Sequence, residues 1–99
     1  MLDIKKTIEG GKALFAISGR VDSTTASQLD KQIKESINDI TELTLDLKEL
    51  DYISSAGLRV LLATQKQMNQ QGEMKILNVN ETVMEIFEIT GFSEIFTIE

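Results

Sequence analysis

Cysteine, histidine, proline and tryptophan are all missing from the 99 residues. Without cysteine there is no disulfide framework and no thiolate ligand. Without histidine there is no imidazole ligand, no Cys-His pair and no Ser-His-Asp triad. Enzyme chemistry therefore starts from a thin inventory, and neither a cofactor nor a metal is expected. The absence of proline, with no low-complexity tract and no shift in composition, leaves nothing to mark a linker, so a single domain over residues 1–99 is expected. No apolar run approaches the roughly 20 residues that cross a bilayer, and membrane insertion is not expected. The opening MLDIKKTIEGGK places Asp3, Lys5, Lys6 and Glu9 where a secretory leader needs an unbroken apolar stretch. No targeting segment is read there, and a cytoplasmic location is the default expectation.

Positive charge is also scarce: 10 lysines and arginines stand against 16 acidic residues, a net charge of −6. Such a balance repels phosphate backbones and anionic lipid, so direct nucleic-acid binding is not expected. Solubility is the plainest use of the charge, and a basic protein partner is the second. With 41% hydrophobic and 26% charged residues the composition is that of an ordinary globular domain.

Periodicity supplies the elements. LDIKKTIEGGKALFAISG reads as two strands around a Gly10-Gly11 turn, the second a buried run from Ala13 to Ile17. Asp22, Ser23, Thr24 and Thr25 form a cluster of potential caps for an amphipathic helix carrying Ala26, Leu29, Ile33, Ile37 and Ile40 and ending near Asn38. Thr25 with Gln28 fits a capping box, with Asp22 and Ser23 as alternative caps. Strict alternation over Leu43 to Leu47 predicts a strand, and from Ala56 to Gly72 the pattern is helical. MKILNV is a further strand. Asn80 caps a helix that stops at Thr90-Gly91, and EIFTI is a last strand. The order ββαβαβαβ makes an α/β domain: a mixed sheet, with an antiparallel opening hairpin and parallel strands, and helices packed against it.

The segment DYISSAGLRVLL, Asp51 to Leu62, then falls at a strand-to-helix loop, expected at the carboxyl end of the central strand, where open α/β sheets place ligands. One serine there is explained by helix capping, which is worth roughly 1 kcal/mol. A helix has one N-cap, so the second hydroxyl is left over, and Ala56-Gly57 is expected to keep the loop open around it, with Gly57 serving access more than packing. The leftover hydroxyl is an acceptor site. A phosphoryl group there would bring about −1.5 to −2 charges to the positive end of the helix dipole, which the domain tolerates. Catalytic use of the serines fails for want of a histidine, SSAG is not a nucleophile elbow, and nothing in the spacing aligns Lys48 or Lys66 with either serine. Asp22, Asp46 and Asp51 could gather a cation, but a solvated acidic rim is the plainer reading. Met68, Met74, Met84 and the four phenylalanines are read mostly as packing. No Gly-rich loop supports nucleotide binding.

LDLKELDYISSAGLRVLL, ISGRVDSTTASQL and LNVNETVMEIFEITGFSEIF together resemble the STAS domain family, named for sulphate transporters and anti-sigma-factor antagonists. The match covers nearly the whole chain and resembles the stand-alone bacterial antagonists. That resemblance implies a partner switch in signal transduction and transcription regulation. The unmodified antagonist binds an anti-sigma factor serine kinase and frees the sigma factor, phosphorylation breaks the complex, and a serine phosphatase restores it. The family's loop reads Asp-Ser-Ser-Gly-Leu with the acceptor directly before the glycine. Aligned on Gly57-Leu58, this chain has Ser54 in place of the aspartate, Ser55 at the first serine and Ala56 at the usual acceptor. Ser55 is the favoured phosphorylation site, and Ser54 is the capping residue and second candidate. The implied partner-binding surface is Asp22, Ser23, Thr24, Ser54, Ser55, Ala56, Gly57 and Arg59, with Asp46 as a residue shaping the loop. The chain alone is expected to be a monomer. The rival readings are an unphosphorylated STAS adaptor subunit of a larger complex, for example in lipid transport, and, third, an enzyme of unusual chemistry.

Overall fold

The computed structural model describes residues 2–99. Strands β1 (Leu2–Glu9) and β2 (Lys12–Val21) form the antiparallel hairpin, with Leu2 opposite Gly19 and Glu9 opposite Lys12. Its turn needs a residue at positive φ, and Gly10 supplies it at +61°. The other edge of β2 is shared by two strands. β3 (Glu42–Asp46) runs parallel to its first half, with Phe15 opposite Leu45, and β4 (Leu50–Ile53) runs parallel to its far end, with Val21 opposite Ile53. The turn between β3 and β4 is closed by Leu50 N–H on the Leu47 carbonyl (3.1 Å) and by the Asp46 carboxylate on Lys48 N–H (3.0 Å). β5 (Glu73–Leu77) pairs in parallel with β3.

The helices are α1 (Ala26–Lys34), α2 (Ser55–Gln71) and α3 (Glu81–Thr90). Alternation along the strands sends Ala13, Phe15, Ile17, Leu43, Leu45, Met74 and Ile76 to one face, where they join Leu29, Ile33, Leu61, Met68, Val83 and Phe87 from the helices in one core. The opposite face, with Leu14, Ala16, Thr44 and Lys75, is not buried.

Several expectations need correction. β2 is buried on one face only, since Leu14, in the middle of the apolar run, is exposed. The first helix stops at Lys34, and Ile37–Asp39 is a separate 3-10 turn that still buries Ile37. The final strand shrinks to a single bridge between Ile98 and Ile76, because Phe92–Glu94 winds into a 3-10 turn that seats Phe92 edge-on to Phe96. The central strand is β2, and the serine loop follows β4, a short strand that sequence periodicity does not reveal. No helix among the described residues is long and apolar enough to cross a membrane.

Candidate functional site

The serine loop is built by β4 and the start of α2. Ile53 is buried against the core, and the next N–H, of Ser54, donates to the Val21 carbonyl at 2.7 Å, extending the ladder one step beyond the strands. Ser54 is extended (φ −88°, ψ 173°), and its hydroxyl accepts from Gly57 N–H at 3.3 Å, the geometry of an N-cap. Ser55 is the first helical residue and is exposed, whereas Ser54 is half-buried. One hydroxyl is thus committed to the helix, and the other faces solvent beside the unpaired N–H groups of the first turn.

Ala56 is half-buried and Gly57 buried, so neither offers the partner an open side chain. Gly57 does not keep the loop open, as the sequence suggests. A Cβ at this position would lie 2.5 Å from Val21 Cγ1 and 2.7 Å from Ile53 Cγ1, both on side chains sealed in the core. The glycine lets α2 press onto the ends of β2 and β4, and through that contact it places Ser55. Arg59, one turn on, is exposed.

The bond from Ser54 to Val21 also sets the neighbouring loop, because Asp22 follows Val21. The Asp22 carboxylate accepts from the N–H groups of Thr24 and Thr25, each at 2.9 Å, and Asp22 N–H donates to the Thr25 hydroxyl at 2.9 Å. That hydroxyl donates in turn to the Arg20 carbonyl at 3.0 Å. The expected capping box of Thr25 with Gln28 does not form, because the Thr25 side chain is turned back into this loop. The Thr25 N–H, the largest influence, holds the Asp22 carboxyl below the ordinary carboxylate range; burial, next in size, opposes it, and the Thr24 N–H, the Thr25 hydroxyl and the charge of Arg20 reinforce the lowering. Asp22 therefore presents a fixed negative charge, flanked by the exposed Ser23 and Thr24.

Arg20 and Tyr52 lie opposite each other on β2 and β4, with the guanidinium 4.8 Å from the ring centroid. This pair at the base of both loops escapes sequence reading, because the contact follows from strand register and not from spacing. Asp46 is placed elsewhere than expected. Its carboxylate takes Lys48 N–H and Asn78 Nδ2 (3.1 Å), so it shapes the β3–β4 turn and not the serine loop. Among the described residues no set of three acidic side chains comes together as a metal site, and Asp22, Asp46 and Asp51 do not converge. Among the described residues, neither serine lines the clefts bordered by Asp3 and Asp46, by Gln65 and Lys75, by Thr7 and Glu42, or by Val79 and Glu88. The arrangement offers an exposed hydroxyl and a structured acidic loop on open surface, which suits docking against another protein.

The STAS domain model matches residues 3–99. The chain belongs to the STAS domain family. It is 41% identical over 90 residues to the proposed anti-sigma factor antagonist BtrV of Bordetella bronchiseptica, covering 89% of this chain and 78% of that one. It is 31% identical over 100 residues to the anti-sigma F factor antagonist of Paenibacillus polymyxa, covering 98% and 86%. Among solved structures, an anti-sigma factor antagonist from Mycobacterium paratuberculosis superposes with a TM-score of 0.89 at 21% identity, over 99% of this chain and 85% of that one. The antagonist SpoIIAA in its phosphorylated form superposes with a TM-score of 0.75 at 16% identity, over 100% and 91%. These structures establish the STAS fold for the chain. Its relatives are regulatory binding proteins, and this chain is one of the same kind and not an enzyme.

Proposed function

We propose that this STAS domain is an anti-sigma factor antagonist working in a partner switch. Unmodified, it binds an anti-sigma factor with serine kinase activity through the Asp22–Thr24 loop and the start of α2. The kinase transfers the γ-phosphoryl group of ATP to the Ser55 Oγ, releasing ADP, and the modified antagonist dissociates until a serine phosphatase hydrolyses the ester. The observation that carries this reading is the division of labour in the loop: Ser54 accepts the capping bond from Gly57, while the adjacent Ser55 stands exposed at the first position of α2. The existence of a phosphorylated form of SpoIIAA, a protein of the same fold, supports it. In this reading the unbound protein is a cytoplasmic monomer.

The energetics divide between the two sides of the interface. Within the domain, an added phosphate meets free N–H groups and the positive end of a helix, worth roughly 0.3 to 1 kcal/mol where exposed. Across a docked surface the same charge is desolvated or meets a like charge, at about 2 to 5 kcal/mol, which is roughly 30-fold or more in affinity. Titration calorimetry against the anti-sigma kinase tests this. Ser55→Asp should stay folded and bind at least about 30-fold more weakly, while Ser55→Ala binds like the wild type and is not released by ATP. Wild-type affinity in Ser55→Asp, with switching lost only in Ser54→Ala, moves the site to Ser54. If neither serine is modified by any candidate kinase, the adaptor reading replaces the switch.

A further inference from the structure

We propose that Arg59 is the intramolecular ligand of the phosphate on Ser55, so that phosphorylation withdraws a cation from the docking surface at the same time as it adds an anion. This rests on the reading of Ser55 as the phosphorylated residue. Ser55 and Arg59 are the first and fifth residues of α2, and both are exposed. At that separation their Cβ atoms lie about 5–6 Å apart on one helix face, and an anion N-terminal to a cation is the favourable order along a helix.

Among the described residues Arg59 has no competing partner. α2 contains no acidic residue, and the helix neighbours three and four positions from Arg59 are Ser55, Ala56, Leu62 and Ala63. The salt bridges among the described residues join Lys6 to Glu35, Lys12 to Glu42, Lys34 to Asp30 and Lys75 to Glu99, and none involves Arg59. The only other arginine, Arg20, is held over the Tyr52 ring. An unpaired guanidinium one turn beyond an exposed hydroxyl is placed to close on two phosphate oxygens in its fork geometry. Ser54 has no such neighbour, since the residues three and four beyond it are Gly57 and Leu58. The same device that clamps a phosphate on Ser55 would leave one on Ser54 unclamped.

In the unmodified protein Arg59 is available to an acidic or hydrogen-bond-accepting group on the partner. Once its charge is satisfied within the helix, the partner loses that contact as well as meeting the phosphate. The test installs phosphoserine at position 55 biosynthetically, so that it does not depend on which residue a kinase selects. The second ionisation of the phosphate is followed by phosphorus NMR in the wild type, Arg59→Gln, Arg59→Lys and, as a control, Lys66→Gln. In the wild type and the control it should fall at least about 0.3 pH unit below that of Arg59→Gln. Arg59→Lys should recover part of the shift, and about 1 M salt should abolish it. The Arg59 side-chain Nε–H resonance should move on phosphorylation. Identical titrations in the wild type and Arg59→Gln overturn the clamp. A clamp seen with installed phosphoserine, in a protein that no kinase modifies at Ser55, fails the switch reading and not the geometry of the pair.

Discussion

Helices α2 and α3 each start behind an extended cap residue whose side-chain oxygen takes the N–H three positions on: Ser54 for Gly57, and Asn80 for Val83 at 2.9 Å. The backbone is the same, but the chemistry differs. α3 carries Glu81 in its first turn, an anion of its own at the positive end of the helix dipole. α2 has no acidic residue in its first turn or anywhere along its length, and Ser55 stands where α3 has Glu81. At the third helical position α3 inserts Val83 into the core, while α2 has Gly57 pressed against Val21 and Ile53. The Asn80 amide also donates to the Leu50 carbonyl, tying α3 to the strand that leads into the serine loop. α3 is electrostatically complete without a modification. α2 is held rigidly and left without its anion, and phosphorylation of Ser55 would supply one.

The sharpest way to break this comparison is to exchange the buried third positions. Gly57→Val forces a side chain into a space where even a Cβ would lie 2.5 Å from Val21, and Val83→Gly empties a fully buried site. Each should destabilise by about 2 to 4 kcal/mol, the first by overpacking and the second by leaving a cavity, as read by denaturant unfolding. The caps come next. Asn80→Ala loses both the capping bond and the bond to Leu50, and should cost about 2 kcal/mol, whereas Ser54→Ala loses the cap alone and should cost about 1 kcal/mol. Equal losses would show that the bond from α3 to β4 contributes nothing.

Smaller in effect is the acidic loop beside α2. The native Asp22 carboxyl has a lowered pKa, so its contribution is fully present above the ordinary carboxylate range and is lost as pH falls through the native value. Thermal unfolding should therefore separate wild type from Asp22→Asn near neutrality, and the two curves should converge in acid below the ordinary carboxylate value of about 3.9. Smallest are changes at the first helical positions. Ser55→Ala and Ser55→Asp should both stay within about 0.5 kcal/mol of the wild type. Glu81→Gln should lose roughly 0.3 to 1 kcal/mol at low salt, because α3 then lacks the anion that α2 never had.

Much of this was legible in the chain. Asn80 and Gly91 mark both ends of α3, the second in the left-handed conformation at φ +81°, and Leu43, Leu45, Ala13, Phe15 and Ile17 trace the core face of the sheet. Two adjacent hydroxyls at a helix start separate into cap and exposed residue, because only one can cap. The strand before them was hidden. β4 has only four residues, buries only Leu50 and Ile53, and shows no alternation, and its pairing with the far end of β2 shifts register between Gly19 and Arg20. The role of Gly57 was equally invisible, since Val21 is distant in sequence and touches it only after β2 and β4 have paired. Thr25 misled because its hydroxyl is turned back onto Asp22 N–H and the Arg20 carbonyl and makes no capping bond to α1.

The most direct test is to map the phosphate itself. The wild type, Ser54→Ala and Ser55→Ala are incubated with the cognate anti-sigma kinase and ATP, and the tryptic peptide that begins after Lys48 is sequenced by mass spectrometry. The account predicts one phosphate on Ser55 in the wild type and in Ser54→Ala, and none in Ser55→Ala. A phosphate on Ser54 in the wild type, persisting in Ser55→Ala, would contradict it.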